Sequence, residues 1–357
     1  MERIVVFLGA GASKSDGAPL QKELFRAYMD SVDESGETRE RYYKNNPFYK
    51  NVKSDLFAFF DVYFGINLSH SREALFPTFE EALGVLEVEG GYAGKETVRK
   101  YKDAIIASMA LAIESQLDNK RSEQNYRIID SYHKLLIENL CDRGGHQVDF
   151  LSTNYDLLAD NALLSQGRPI NYGFTDQGHG IRLLKLHGSM NWLYCPGCGR
   201  IQATGAAEIS ANNLLDFSAH KCENCGSVQT SVIIPPTYFK NFVQYGDNIR
   251  RVWENAYEAL SQADRIIICG YSFPHADIHI KTLLKKSEQG RKRSTPLKVS
   301  VFNGYEGKSG EEKRKEAYRY LRFLRKDTIL DYQGDIPFEE FAKSPQQYID
   351  GTQGGTI

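Results

Sequence analysis

Five short apolar segments with a common pattern restrict the fold of this chain more than any other feature. Each is five or six residues long, is rich in Val, Ile, Leu and Phe, and is followed by small or polar residues. The segments are Arg3–Leu8, Gln147–Ser152, Arg182–Leu186, Arg265–Cys269 and Lys298–Phe302. Runs of this length predict buried strands. Helical stretches between them predict an open, mostly parallel α/β sheet.

The residues that directly follow these strands are the candidate binding residues. They are Gly9-Ala10-Gly11-Ala12-Ser13, Thr153-Asn154-Tyr155-Asp156, His187-Gly188-Ser189, Gly270-Tyr271-Ser272 and Asn303. Ligands of open parallel sheets bind outside the carboxyl ends of the strands. We therefore expect these five groups to line one crevice.

The turn after the first strand has the composition of a phosphate-binding turn. Gly9 and Gly11 lack a Cβ, so backbone amides there can approach a phosphate closely, and Ser13 adds a hydroxyl. The turn lacks the third glycine of a dinucleotide fingerprint and the Gly-Lys-Ser/Thr of a P-loop. Taken alone, it is equally consistent with a tight strand–helix connection that holds no ligand.

The polar residues after the later strands each have a functional and a structural interpretation. His187 is a candidate general base, since histidine titrates near neutrality, or else a buried histidine with satisfied hydrogen bonds. Asn154 can hold a water or a ribose hydroxyl, or cap a turn. Asp156 can accept from an amide or hydroxyl, or cap the following helix. Gly270 and Ser272 are candidates for a second phosphate or ribose contact, and Asn303 can bond a ribose or merely end a strand.

Four cysteines form two Cys-x-x-Cys pairs, Cys195/Cys198 and Cys222/Cys225, each followed by a glycine. This spacing predicts tetrahedral zinc in a closed structural site. The other two, Cys141 and Cys269, are interpreted as buried thiols.

A second group with metal-ligand character is His275, Asp277 and His279, which alternate two residues apart. No carboxylate or cysteine partner lies nearby in sequence. We interpret this group as a solvated helix start.

Composition and charge exclude several classes of function. The net charge of −2 and the pI near 6.5 give no basic field for direct nucleic-acid binding. No apolar run reaches the roughly 18 residues of a membrane span, and no secretory signal is visible. We expect a cytoplasmic protein without a membrane association.

The predicted domains follow from these elements. A sheet domain covers residues 1–40 and 141–305, with a helical module at 41–140 and a zinc-ribbon insertion at 195–230. Residues 306–357 are expected to form a C-terminal helical tail. A capping box at Thr78 and Glu81 predicts a helix start within the helical module.

Over about residues 1–305, the strand-end motifs and the cysteine quartet resemble the sirtuins in order and approximate spacing. The resemblance implies a Rossmann-like NAD domain with helical and zinc insertions, and cleavage of the nicotinamide–ribose bond. It implies that Asn154 orients water or the ribose and that His187 acts as the base. Asp156 would lie near the nicotinamide amide, and Ser13, Ser272 and Asn303 would hold phosphate and ribose.

The sequence departs from the sirtuin deacylases just after the glycine turn. Deacylases continue with Gly-Ile-Pro-Asp-Phe-Arg, whereas here Gly17-Ala18-Pro19 is followed by Leu20-Gln21-Lys22. Thr153 stands where deacylases have glutamine, and Ile233–Lys240 replaces the acyl-lysine groove. Without the aromatic residue that covers the reacting ribose carbon, water should reach the intermediate.

These departures resemble the bacterial sirtuin-like NAD hydrolases of antiphage defence. That likeness implies a homo-oligomer and a separate partner, for which a HerA-like DNA-translocating ATPase is one candidate. Two other functions stay open: NAD-dependent protein deacylation or ADP-ribosylation, and non-catalytic sensing of NAD or ADP-ribose.

Overall fold

A computed structural model describes residues 2–33, 47–67, 75–89, 95–117, 130–175, 178–204, 221–234, 245–274, 277–292, 295–304 and 308–351. The chain forms two compact units. The sheet unit comprises Met1–Gly17, Arg127–Ser189 and Tyr238–Ile357, and the insert unit comprises Ala18–Tyr126 and Met190–Thr237. The insert unit thus begins at residue 18 rather than at the predicted 41, and the C-terminal residues belong to the sheet unit.

The strands are β1 (Arg3–Leu8), β2 (Gln147–Ser152), β3 (Ile170–Asn171), β4 (Ile181–Lys185), β5 (Gly188–Tyr194), β6 (Ile201–Ala203), β7 (Thr230–Ile233), β8 (Arg265–Cys269), β9 (Lys298–Phe302) and β10 (Ile329–Gln333). The helices are α1 (Ala10–Ser15), α2 (Leu24–Asp33), α3 (Pro47–Phe64), α4 (Phe79–Glu89), α5 (Lys95–Leu117), α6 (Tyr132–Ile137), α7 (Leu158–Ser165), α8 (Gly246–Gln262), α9 (Ile278–Gln289), α10 (Gly310–Leu321), α11 (Phe338–Lys343) and α12 (Pro345–Asp350). Glu138–Arg143 continue α6 as a π-helical turn.

The sheet unit is built on a seven-stranded sheet with the order β10-β9-β8-β1-β2-β4-β3, in which the neighbouring strands run parallel. The register is in phase across its centre: Leu8 pairs with Ser152 and with Cys269, Ser152 with Lys185, and Cys269 with Phe302. All five predicted strands therefore end at one edge of the sheet. This confirms the predicted parallel, Rossmann-like α/β fold.

Burial follows the pattern that the sequence indicated. The central strands are inaccessible over nearly their whole length, as at Val6, Phe150 and Ile267. Helices α6, α7 and α11 cover one face of the sheet with residues such as Leu140 and Phe341. Apolar side chains on both faces exclude water from the strands, so polar groups collect at the strand ends.

The C-terminal residues are not the helical tail that the sequence predicted. Helix α10 ends at Leu321, and β10 then adds an edge strand to the sheet, pairing parallel with β9 from Ile329 to Gln333. Its segment, Ile-Leu-Asp-Tyr-Gln, is half-exposed and lacks the continuous apolar run of the inner strands. An edge strand needs no such run, so no apolar pattern in the sequence marks it.

The insert unit contains a helical part, in which α2, α3 and α4 each pack against α5. Rings from α2 and α3 meet in its core: the Phe25 and Phe60 centroids are 4.9 Å apart at nearly right angles. Helix α4 starts as predicted, since the Thr78 amide donates to Glu81 (2.7 Å) and the Glu81 amide donates to the Thr78 hydroxyl (3.2 Å).

The insert unit also contains a three-stranded sheet in the order β6-β5-β7. Its strand β5 begins at Gly188, directly after the turn that follows β4, where the sequence predicted no strand. Of the Ile233–Lys240 segment, the residues from 235 onward lie outside the described residues. Within the described part of the chain, no helix is long and apolar enough to cross a membrane.

Candidate functional site

The turns after β1 and β8 interlock through two glycines. The amide of Gly9 donates to the Cys269 carbonyl (2.9 Å), and the amide of Gly11 donates to the Gly270 carbonyl (2.8 Å). A Cβ on Gly9 would lie 2.5 Å from the Gly270 oxygen. A Cβ on Gly270, whose φ is +64°, would lie 2.0 Å from the Ala12 nitrogen. Both positions therefore require glycine because two backbones touch there.

This joint engages backbone amides of the glycine turn that were predicted to bind a phosphate. Gly11 N–H is engaged with Gly270, and Ala12 N–H donates to the Gly9 carbonyl at 3.0 Å. The contacts of Gly9, Ala10 and Gly11 with a phosphate stay a prediction. The structural role of the turn is to join two strand ends.

Asn154 lies at the centre of a buried polar network on the β1 and β2 ends. Its amide nitrogen Nδ2 donates to the Gly9 carbonyl (2.9 Å) and to Ser13 Oγ (2.8 Å). Ser13 Oγ in turn donates to Asp156 Oδ2 at 2.6 Å. These bonds use both hydrogens of Nδ2 and fix the amide plane, and Oδ1 is the side-chain acceptor of Asn154. An acceptor held this way suits a water or a hydroxyl donor.

Asp156 is engaged within the protein through both carboxylate oxygens, and its contact with a ligand stays a prediction. Its Oδ2 accepts from Ser13, and its Oδ1 accepts from the Leu158 amide at 3.0 Å, at the start of α7. Its backbone carbonyl accepts from Lys185 Nζ at 2.5 Å. The loop that carries Asn154 is therefore held at its side chains and at its backbone.

Lys185 is a functional-site residue that the sequence reasoning missed. It is 1% exposed, and Nζ donates to Asp160 Oδ2 at 3.1 Å as well as to the Asp156 carbonyl. Asp160 is fully buried and also accepts from the Tyr172 hydroxyl at 2.6 Å. The only sequence signal was one lysine inside the apolar run Leu183-Leu184-Lys185-Leu186. A buried charge of this kind requires a charged partner.

His187 lies in the turn between β4 and β5 and is 2% exposed. The Leu186 amide donates to the Ser152 carbonyl (2.8 Å), which keeps this turn beside the β2 end. The Tyr155 ring centroid lies 6.4 Å from the imidazole centroid. The two predicted catalytic residues, Asn154 and His187, therefore stand on neighbouring strand ends.

The group formed by His275, Asp277 and His279 differs from the predicted solvated helix start. Asp277 is 1% exposed, and its Oδ2 accepts from the Tyr271 hydroxyl (2.7 Å) and lies 3.6 Å from His187 Nε2. His279 packs against the Trp253 ring, with centroids 6.4 Å apart, and His275 lies outside the described residues. Asp277 is therefore buried at the start of α9, which the local sequence could not indicate.

Asn303 follows β9 and borders a cavity of about 710 Å³. Its Nδ2 donates to the Tyr271 carbonyl (2.7 Å) and to Glu316 Oε1 (2.6 Å), while Oδ1 is buried without a partner among the described residues. The cavity lining also includes Gly11, Gly270 and Lys308. A buried acceptor beside a cavity suits a ligand hydroxyl, in line with the ribose contact that the resemblance implies.

Ser272 does not share this environment, since its side chain is exposed. Its carbonyl accepts from Arg319 at 3.4 Å. A ligand contact of Ser272 stays a prediction.

The cysteine quartet forms a cluster that fits zinc. The four sulfur atoms lie within 4.8 Å of one another, with 3.3 Å between Cys195 and Cys225 and 3.7 Å between Cys198 and Cys222. Four thiolates each about 2.3 Å from zinc would be about 3.8 Å apart. Within the described residues, no other group of acidic, histidine and cysteine side chains is arranged to hold a metal.

The backbone around the quartet wraps it as two knuckles. The Gly199 amide donates to the Cys195 carbonyl (2.8 Å) and the Gly226 amide to the Cys222 carbonyl (2.7 Å), and both glycines have φ near +70°. Hydrogen bonds from Ser227 lower the pKa of Cys225 to about 6. Thiolate character of this kind is what a metal ligand needs.

Comparison with known proteins agrees with this architecture. Residues 148–324 match the family model described as a SIR2-like domain. The fold thus defines a parallel α/β protein, and just under half of the chain, residues 148–324, is similar to a SIR2-like domain. No curated protein sequence matches the chain.

Solved structures of Sir2 proteins are similar at low identity. A Sir2 homologue with a serine-to-alanine substitution, bound to ADP-ribose, is 12% identical, with a TM-score of 0.45 and coverage of 99% of this chain and 94% of that one. A Sir2 protein with a p53 peptide and NAD is 14% identical, with a TM-score of 0.40 and coverage of 98% and 92%. The fold assignment rests on the strand order and the family match rather than on these likenesses.

Proposed function

We propose that this protein hydrolyses NAD at the nicotinamide–ribose bond, giving ADP-ribose and nicotinamide. The observation that carries the proposal is the meeting of Asn154, Ser13, Asp156 and His187 at one edge of the sheet. All four side chains are buried, and hydrogen bonds orient Ser13, Asn154 and Asp156 relative to one another. Neighbouring strand ends of a parallel sheet are where nucleotide substrates bind.

In this proposal each residue acts through a particular atom. Asn154 offers Oδ1 to the attacking water or to a ribose hydroxyl, since its Nδ2 is already engaged. His187 accepts a proton as general base. Asn303 offers its buried Oδ1 to the adenosine ribose, and the cavity beside it receives that end of the substrate.

Water rather than an acylated lysine is the proposed acceptor. The support is the segment Leu20-Gln21-Lys22, where the deacylases that this chain resembles have Asp-Phe-Arg. Protein deacylation or ADP-ribosylation would need an acceptor groove, for which the sequence offers no recognisable motif. A role in sensing alone accounts poorly for an Asn154 amide that is oriented by hydrogen bonds on the strand end next to that of His187.

Several properties extend the proposal on the strength of the family resemblance. We propose that the cysteine quartet holds one structural zinc, because the sulfur spacing fits it. We also propose that this protein is a cytoplasmic effector of antiphage defence. It would form homo-oligomers and respond to a separate partner, for which a HerA-like ATPase is the first candidate.

The test is the release of nicotinamide from NAD by the purified chain, with Asn154→Ala and His187→Ala as the two inactive variants. Asp327→Asn is the matched control, since Asp327 is an exposed carboxylate. We expect hydrolysis by the parent and the control and a loss of about 10²-fold or more in each active-site variant. Equal rates in all four proteins would refute the assignment.

A further inference from the structure

We propose that Asp277 is a positioning residue for His187 and that Tyr271 holds Asp277 in place. The inference rests on the proposed function, because it assumes that His187 takes up a proton during the reaction. Tyr271 and Asp277 lie between β8 and α9, whereas the residues that carry the proposed function follow β1, β2 and β4.

The contacts define a chain of three buried groups. The Tyr271 hydroxyl donates to Asp277 Oδ2 at 2.7 Å, and the same oxygen lies 3.6 Å from His187 Nε2. Tyr271, Asp277 and His187 are 5%, 1% and 2% exposed. A carboxylate removed from water in this way needs both a hydrogen-bond donor and a positive partner. The tyrosine supplies the first, and the histidine, once protonated, supplies the second.

Close to Asp277 in sequence, Phe273 has a φ of +55°, a left-handed conformation that is unfavourable for a residue of its size. Its buried ring stacks on Tyr320 with centroids 4.7 Å apart and also contacts the edge of Tyr271. This packing stabilises a turn that the sequence alone would not favour.

The other neighbours keep Tyr271 fixed at its two ends. Its ring packs against Phe7 of β1, with centroids 4.9 Å apart, and its carbonyl accepts from Asn303 Nδ2 at 2.7 Å. Lys281 of α9 lies over the Phe273 ring at 5.4 Å. Burial lowers the pKa of Lys281, and the negative charge of Asp277 opposes part of this shift.

The chemistry is that of a base with an orienting carboxylate. His187 accepts one proton from the attacking water or ribose hydroxyl and later releases it to solvent, so hydrolysis yields ADP-ribose, nicotinamide and one proton. Asp277 stays ionised throughout and stabilises the imidazolium that forms, as the aspartate does in hydrolytic triads. Tyr271 transfers no proton and only fixes the carboxylate.

The experiment compares Asp277→Asn, which preserves shape, and Tyr271→Phe, which removes one hydroxyl, with the exposed Asp327→Asn. Thermal unfolding checks the fold of each variant. Nitrogen-15 histidine NMR, with the His187 signal identified by its loss in His187→Ala, reports the charge and tautomer of the ring without any turnover. Steady-state hydrolysis of NAD gives kcat and KM.

We expect the His187 nitrogen shifts to change in Asp277→Asn and, less, in Tyr271→Phe. We expect kcat to fall by about 10- to 100-fold in the first and about 3- to 10-fold in the second, with KM within about twofold. Unchanged His187 shifts or unchanged kcat in a folded Asp277→Asn protein would overturn the inference. A parent protein that does not hydrolyse NAD contradicts the proposed function, and the NMR comparison then decides the positioning alone.

Discussion

Replacing Gly270 by alanine is expected to disrupt the joint between the β1 and β8 turns. The new Cβ would lie 2.0 Å from the Ala12 nitrogen and 2.4 Å from the Gly11 carbonyl carbon, both backbone atoms that cannot rotate away. The left-handed φ of +64° adds a cost of about 1–2 kcal/mol. Forcing the two turns apart adds about 1–3 kcal/mol. The total loss of unfolding free energy is therefore about 2–5 kcal/mol.

A matched variant separates the two contributions. Gly167 has φ of +67° but no atom within 4 Å of an added Cβ, so Gly167→Ala should lose only the conformational part, about 1–2 kcal/mol. Urea denaturation followed by circular dichroism measures both variants. Destabilisation of the two proteins by equal amounts would show that the backbone contact between the turns contributes nothing.

Three further predictions concern other parts of the chain. Lys185→Met removes the buried cation beside Asp160 and should lower the free energy of unfolding by about 3–5 kcal/mol in urea denaturation. Asp160→Asn in the same protein should recover part of this loss, and strict additivity of the two changes would contradict the ion pair. Metal analysis should find about one zinc per chain, and Cys222→Ser should lower both the zinc content and the melting temperature; a folded parent free of metal would contradict the quartet assignment. Burial raises the pKa of Asp103 from 3.8 to about 6, although the positive charge of Arg99 lowers it. Between pH 3.8 and about 6 the folded state therefore binds more protons than the unfolded state. Stability should therefore fall as pH rises through that window, and Asp103→Asn should flatten this dependence in thermal unfolding; an unchanged slope would count against the raised pKa.

The strands of the sheet core could be read from the sequence because each is a short apolar run with a polar stop. Burial on both faces selects such residues one after another, so β1, β2, β8 and β9 have the predicted bounds. The polar residues that follow these strands are also the basis for predicting Asn154 and His187 as catalytic residues. Strands exposed on one side, such as β10, carry no such run, and their position depends on the neighbouring strand.

The residues that support the site could not be found in this way. Lys185 pairs with Asp160 from another element, and Asp277 meets His187 across 90 positions of the chain. Their roles depend on which elements the fold brings together. In the sequence, Asp277 resembles any polar residue that precedes a helix. Its burial beside His187 is seen only in the fold.

In the proposed reaction water, not an acylated lysine, accepts the ADP-ribosyl group. The most direct measurement incubates the purified chain with NAD, with and without an acetyl-lysine peptide, and quantifies nicotinamide, ADP-ribose and acetylated ADP-ribose by chromatography. We predict equal amounts of nicotinamide and ADP-ribose at a rate that the peptide does not change. Nicotinamide release that requires the peptide and yields acetylated ADP-ribose would contradict the proposed hydrolysis of NAD.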